Sequence, residues 1–270
     1  MAEEIELKLS LHQPALLLRQ PLLARAQSCR REQLRNIYFD TPDLALKRKG
    51  IALRLRKQGR RWLQTVKCAG SGGAGLSSRP EWETPYSGQF DFSAVDHATT
   101  RRWLTRPALA AQLAPLFETR FARTTWHFAT APASSLQMVL DRGYIAAAGI
   151  RQPILELELE LESGPVEQLF ALALQLAEKV VLLPLSTSKA ERGYRLATGA
   201  QPAPPLMRRE APGPDDWHGA LTVCLERLLA LQAGEDPLAT VAALRADLRQ
   251  PIFSRMLLRL AALASGLTLP

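Results

Sequence analysis

The chain has 270 residues, 47% hydrophobic and 22% charged, which suits one large or two modest packed domains and excludes a disordered chain. Its net charge of +8 calls for an anionic partner, while 6% aromatic content is thin for stacking single-stranded bases. Cys29, Cys68 and Cys224 have no metal-ligand spacing, the opening Met1-Ala2-Glu3-Glu4 is too acidic for a signal peptide, and no apolar run reaches about 18 residues, so a cytoplasmic protein is expected.

Glu4-Ile5-Glu6-Leu7-Lys8-Leu9 alternates charged with apolar residues and predicts a strand with two carboxylates and an ammonium on one face. Residues 14–26 predict a short amphipathic helix broken at Pro21. Arg35 to Asp40 predicts a second strand, ended by Thr41-Pro42-Asp43, with Asp43 expected to cap a helical turn through Leu46. Ile51 to Lys57 and Arg61 to Lys67 read as a hairpin, with Arg54 and Arg56 on one face. Gly70 to Gly75 reads as a flexible loop, without the residue order of a Walker phosphate loop.

Arg79-Pro80-Glu81-Trp82-Glu83 predicts a further strand with Arg79 on the glutamate face. Residues 93–117 read as helical, broken at Pro107 and Pro115. Thr119 to Phe128 predicts a strand with Arg123, Thr125 and His127 on one face; His127 lacks a ligand-spaced partner and reads as structural. Leu136 to Asp141 predicts another strand, closing at Gly143. Most informative is residues 155–162, where leucines at 155, 157, 159 and 161 alternate with Glu156, Glu158, Glu160 and Glu162. Successive glutamates on that face lie roughly 6–7 Å apart, given about 3.3 Å of rise per residue, and at that spacing they repel.

Gly164-Pro165 opens a predicted helix through Lys179, and Ser186 to Tyr194 predicts a Ser-capped helical turn presenting Lys189 and Arg192. Residues 201–214, with five prolines, read as a linker. Beyond it three helices are expected, over residues 217–232, from Asp236-Pro237 and from Pro251, with basic pairs Arg245/Arg249 and Arg255/Arg259.

Several strands thus carry two or three ionisable groups on one face and aliphatic residues on the other. A closed antiparallel barrel with a charged lumen and helices packed outside accounts for that pattern. Clustered carboxylates must shift their pKa values or bind cations, and Mg²⁺ or Mn²⁺ choose oxygen ligands. Clustered Arg and Lys suit a multiply charged phosphate anion. Both together describe a metal-bound polyphosphate; the acidic rows would repel nucleic acid, and no membrane partner is expected.

These residues resemble the CYTH superfamily, the triphosphate tunnel metalloenzymes. Glu4-Ile5-Glu6-Leu7-Lys8 looks like that family's Glu-x-Glu-x-Lys signature. It occurs with Tyr38-Phe39-Asp40-Thr41, Leu53-Arg54-Leu55-Arg56, Gln64-Thr65-Val66-Lys67, Glu81-Trp82-Glu83, the Glu156 strand and Ser188-Lys189-Ala190-Glu191-Arg192-Gly193-Tyr194. The match covers residues 1 to about 198 and looks closest to bacterial inorganic triphosphatases, which often carry a helical CHAD domain behind the tunnel.

The resemblance implies an α+β protein: a closed eight-stranded antiparallel β-barrel, or tunnel, over residues 1–200, the linker over 201–214, and a small all-α, CHAD-like remnant over 215–270. It implies hydrolysis of tripolyphosphate to pyrophosphate and phosphate with Mg²⁺ or Mn²⁺. Carried over by position, Glu4, Glu6, Asp141, Glu156, Glu158 and Glu160 would hold metal or position water. Lys8, Arg54, Arg56, Lys67, Arg79, Arg123, Lys189 and Arg192 would clamp phosphates, and Glu81 and Glu83 would orient the basic residues or contribute to metal binding. The catalytic set would be Glu4, Glu6, Lys8, Glu81 and Glu83. The chain departs from the family pattern at Gln137 and Tyr144, where acidic residues are common, and Leu238 to Arg249 lacks the histidine of a CHAD helix. Thiamine-triphosphatase, nucleoside-triphosphatase and adenylate cyclase chemistry, a non-catalytic polyphosphate-binding module, and a homodimer stay open.

Overall fold

A computed structural model describes residues 2–131, 134–199 and 251–267. Its strands are β1 (Ala2–Leu11), β2 (Ser28–Asp40), β3 (Ile51–Gln58), β4 (Arg61–Cys68), β5 (Ser71–Gly73), β6 (Leu76–Pro85), β7 (Ala114–Ala131), β8 (Ser134–Ala147), β9 (Ile150–Ser163) and β10 (Leu182–Pro184). Its helices are α1 (Pro14–Leu17), α2 (Ala45–Arg48), α3 (Ala98–Leu104), α4 (Pro107–Ala110), α5 (Glu167–Leu176), α6 (Lys189–Thr198) and α7 (Pro251–Ala264), with a 3-10 turn at Pro21–Arg25. Eight strands in the order β1-β9-β8-β7-β2-β3-β4-β6 close into an antiparallel barrel when β6 returns to β1; β5 and β10 pair outside that ring.

The register explains which face turns inward. Leu7 lies opposite Leu159 and Leu9 opposite Leu157, while Lys8 faces Glu158 and Glu6 faces Glu160. The leucines pack outward with Leu136, Met138 and Leu140 under Leu169, Phe170 and Leu176 of α5 and Leu257 and Leu258 of α7. Burying each such side chain contributes about 1.5–3 kcal/mol. A second outer core joins Leu53, Val66 and Trp82 to Leu46, Phe92, Leu104 and Leu109 of the loop and short helices outside. The apolar faces therefore point away from the lumen, and the charged faces have nowhere to go but into it.

Of the C-terminal region, α7 is seated on the barrel. Ser254 is fully buried, and its Oγ accepts a hydrogen bond from the backbone N–H of Leu182 at 3.1 Å. Ser254→Ala is expected to orphan that donor and to cost about 1–3 kcal/mol in denaturant unfolding of the full chain. The expected linker and the helices over 217–232 and from Asp236 lie outside the described residues.

Several local expectations are corrected. Residues 93–117 are not one broken helix: α3 and α4 are short, and Pro115 already lies in β7. It sits opposite Phe39 beside a register shift, where the ladder tolerates a residue without an N–H. Residues 14–26 form only α1 and the 3-10 turn, and α5 is shorter than the Gly164 to Lys179 pattern. The 70–75 glycine segment is a packed hairpin rather than a flexible loop: β5 pairs with β6, and Gly75 accepts from Lys8 N at 2.9 Å. Gly75 has φ +92°, and a Cβ there would stand 2.9 Å from Lys8 O. The turn before α2 is held by Asp40, not Asp43. Asp40 accepts from the backbone N–H groups of Thr41, Leu46 and Lys47 and from the hydroxyl of Tyr194 on α6.

Candidate functional site

Among the described residues, one end of the lumen is closed. There Tyr38 of β2, Phe117 of β7, Ile145 of β8 and Ile154 of β9 point inward and meet Tyr194 of α6 in one buried cluster. Tyr38 and Phe117 stack at 4.5 Å, and Tyr194 meets Phe117 edge-on at 5.2 Å. Gly193 lets α6 approach, since a Cβ there would lie 2.0 Å from the Phe117 ring. Ser188 caps α6 by accepting from Glu191 N, and this aims Lys189 into the barrel.

Next comes a wall of carboxylates tied to cations. Lys189 Nζ lies 2.9, 2.7 and 2.8 Å from Asp141, Glu156 and Glu158. Arg123 forks onto Asp141 at 2.8 and 2.7 Å and also reaches Glu158 at 3.0 Å. Arg192 bonds Glu156 and donates to the carbonyl of Pro153. Burial opposes the charge on Glu158, but Lys189, Arg123 and Lys8 hold its carboxyl well below the ordinary range.

Toward the open end the balance changes. One oxygen from each of Glu4, Glu6 and Glu160 lies within 4.8 Å of the others. Lys67 and Arg79 hold Glu4 ionised against its burial. Glu6 is almost fully buried and meets Lys8 at 2.8 Å and Arg79 at 2.6 Å. Glu160 is different: burial pushes its carboxyl up to about 7, neighbouring Glu158, Glu4 and Glu6 add to the effect, and Arg123, 3.8 Å away, offsets it in part. This is a carboxylate short of positive charge beside two others, and a hard divalent cation with oxygen ligands fits it.

That shift has a consequence for stability. A carboxyl whose folded pKa stands above the ordinary 4.5 binds its proton more tightly folded than unfolded, so its contribution to stability falls as pH rises from 4.5 to about 7. Glu160→Gln is expected to flatten the fall in melting temperature of the metal-free protein across that window. Thermal unfolding at several pH values in EDTA checks it, and identical profiles for the two proteins would contradict it.

The opposite wall is basic. Lys67 bridges Glu4 at 2.7 Å and Glu81 at 2.6 Å. Arg54 is buried; its Nη2 reaches Glu81 at 3.4 Å, and its Nε has no hydrogen-bond partner among the described residues. Arg56 reaches Glu83 only at 3.7 Å, and burial with neighbouring Arg54 and Arg123 brings its pKa down to about 10. Burial opposes the charge on Arg54, but Tyr38, Glu81 and Glu83 raise its pKa above the ordinary value, so of the two it is Arg56 that is short of negative charge.

The candidate metal- and phosphate-binding residues of the sequence reading gather at this one lumen, and among the described residues Glu4, Glu6 and Glu160 form the one group of three acids close enough to share an ion. Asp141, Glu156 and Glu158 are instead bound up with Lys189, Arg123 and Arg192. Gln137 faces inward and donates to Glu162, whereas Tyr144 alternates outward and carries Arg151 over its ring, so Tyr144 does not touch the lumen. Neutral lumen residues escaped notice in the sequence: Asn36, which accepts from Arg56; Thr65, which donates to Glu83; and Ser77, which donates to Glu6. Each shares the parity of an ionisable residue on its own strand, which was the available signal.

Comparison with known proteins agrees with this geometry. The model of the CYTH domain matches residues 2–194. An inorganic triphosphatase from Haemophilus influenzae is 34% identical over 202 residues, covering 73% of this chain and 56% of that protein, so the chain spans little more than half the relative's length. Among solved structures, a Hippeastrum protein described as an adenylyl cyclase with dominant triphosphatase activity superposes with a TM-score of 0.53 at 20% identity. That match covers 73% of this chain and 96% of that one, and supports the fold.

Proposed function

Because the chain belongs to the CYTH domain family, we propose that it hydrolyses inorganic tripolyphosphate to pyrophosphate and phosphate in its lumen, with Mg²⁺ or Mn²⁺. The observation that supports this is the meeting, inside one barrel, of a three-carboxylate cluster in which Glu160 is short of positive charge with Arg56, a buried guanidinium short of negative charge. The similarity to the Haemophilus enzyme supports the choice of substrate.

Glu4, Glu6 and Glu160 would hold the cation, which supplies neutralisation of charge on phosphate oxygens. Arg54, Arg56, Lys8, Lys67 and Arg79 bind the equatorial oxygens, where charge develops in phosphoryl transfer. Glu81 and Glu83 position Lys67, Arg54 and Arg56, while Arg123, Lys189 and Arg192 pair with and order the Asp141, Glu156 and Glu158 wall. Water is the nucleophile, so no activated Ser or Cys is needed. The free Cys29 and Cys68 fit a reducing, cytoplasmic setting, which belongs to the same proposal. Among the described residues no helix is long and apolar enough to cross a membrane.

Phosphate release from tripolyphosphate, ATP and thiamine triphosphate, each with Mg²⁺, Mn²⁺ or EDTA, tests the reading. The expected result is metal-dependent release fastest from tripolyphosphate. Faster turnover of an organic triphosphate would move the substrate, and binding without turnover of any would leave a binding protein.

A further inference from the structure

The open end of the barrel carries a charged feature that the tunnel chemistry does not use. A groove of about 450 Å³ is lined there by Arg30, Arg31, Glu32, Gln58, Arg60 and Arg61, among others. Its size is within the roughly 300–1,000 Å³ of ligand pockets. It forms because β2 overruns β3: pairing with β3 begins at Leu34 opposite Gln58, while residues 28–33 pair only with β7. The β3–β4 turn at Gly59-Arg60 stands against that overhang.

Four arginines share this groove with one carboxylate, and the carboxylate is already engaged. Glu32 takes Arg30 at 3.1 Å and the amide of Gln58 at 2.6 Å. Arg31, Arg60 and Arg61 are exposed, with no carboxylate partner among the described residues. Like charges gathered in a concave surface raise the local concentration of anions, and forked guanidiniums match phosphate oxygens. The groove also continues the lumen, since Glu32 stands opposite Arg123 across the β2–β7 ladder.

The closed end gives this groove its meaning. With α6 and the Tyr38, Phe117 and Tyr194 cluster shutting the far end, a linear phosphate chain can enter only by its terminus. Any phosphates beyond those that fit inside must leave across the open rim. We propose that the rim groove is a second anion subsite, which binds the trailing phosphates of linear polyphosphates longer than tripolyphosphate. This rests on the triphosphatase reading of the lumen. Among the described residues no aromatic side chain lines the groove to stack a base, and bare polyphosphate is favoured over a 5′-triphosphorylated RNA.

The test is equilibrium binding in EDTA of tripolyphosphate, a polyphosphate of about ten units and a 5′-triphosphorylated RNA oligonucleotide. It compares the full chain with the triple variant Arg31→Ala, Arg60→Ala, Arg61→Ala. Charge-assisted hydrogen bonds contribute about 1.5–3 kcal/mol each, so the longer polyphosphate is expected to bind at least about tenfold more tightly than tripolyphosphate. The triple variant should erase that advantage and change tripolyphosphate affinity by less than about twofold. Equal affinities in the unmodified chain, or an advantage that survives the substitutions, would overturn the proposal. So would RNA binding more tightly than polyphosphate and being lost in the variant, which would make the rim a nucleic-acid site. If tripolyphosphate is neither bound nor cleaved, the triphosphatase reading fails separately, and loss of long-chain binding in the variant would still identify the groove.

Discussion

Glu6→Gln is expected to lower the rate of tripolyphosphate hydrolysis by roughly 100–1,000-fold, the scale seen when a preorganised electrostatic contact to the transition state is lost. Glu6 stands at the centre of the site, sharing the carboxylate cluster with Glu4 and Glu160 and ion-paired to both Lys8 and Arg79. Glutamine keeps the volume and an accepting oxygen for Ser77, so the barrel should fold as before. What disappears is one negative charge, and two consequences of opposite sign follow. A cation bound there would be held more weakly, while Lys8 and Arg79 lose a competing partner and become freer to bind phosphate. Turnover should therefore collapse while tripolyphosphate affinity in EDTA holds or rises. Steady-state kinetics beside calorimetric binding separates the two. Near-complete turnover in the variant would remove Glu6 from the cation site.

Lys189→Met is expected to have the largest effect on stability. Its ammonium is buried among three carboxylates, and although burial opposes its charge, Asp141, Glu156 and Glu158 raise its pKa well above the ordinary value. A raised lysine pKa contributes stability that is present below the unfolded value and is lost only as pH rises through the folded one, so the ion pairs are intact at neutral pH. Methionine fills similar space but removes the one cation in contact with all three carboxylates, leaving Arg123, Arg192 and Lys8 to balance them. Breaking a buried ionic cluster in this way costs about 3–5 kcal/mol. At about 2–4 °C per kcal/mol for a chain of this size, the melting temperature should fall by about 6–20 °C. A loss of under about 1 kcal/mol would mean that solvent already screens the wall, as at exposed ion pairs.

How far the sequence carries the structure depends on the range of the interaction involved. Period-two alternation is a property of neighbouring residues, so Glu4, Glu6 and Lys8, or Glu156, Glu158 and Glu160, could be assigned to one face of a strand from the chain alone. Their number and sign made a charged lumen the reading that fits, and the closed ring of eight strands agrees with it. Strand lengths were less legible. β7 and β8 run past Phe128 and Gly143, and β2 begins well before Arg35, because the added residues are held by ladder bonds to distant strands rather than by their own pattern.

The sequence by itself determined which residues are polar on which strand, and hence the inventory of cations and carboxylates. Only the tertiary structure decided how that inventory divides. The β1–β9 register places Glu160 beside Glu6, whereas α6 delivers Lys189 to Asp141, Glu156 and Glu158, so six similar acids divide into a close trio of Glu4, Glu6 and Glu160 and a wall paired to Lys189. The same holds for Asp40, whose bond to Tyr194 spans 154 residues and helps to fix the helix that shuts one end of the lumen. Local alternation sets direction over a few ångströms, but electrostatic pairing is decided by which charges closure of the barrel brings within about 4 Å, and that distance is set by strand register and helix docking.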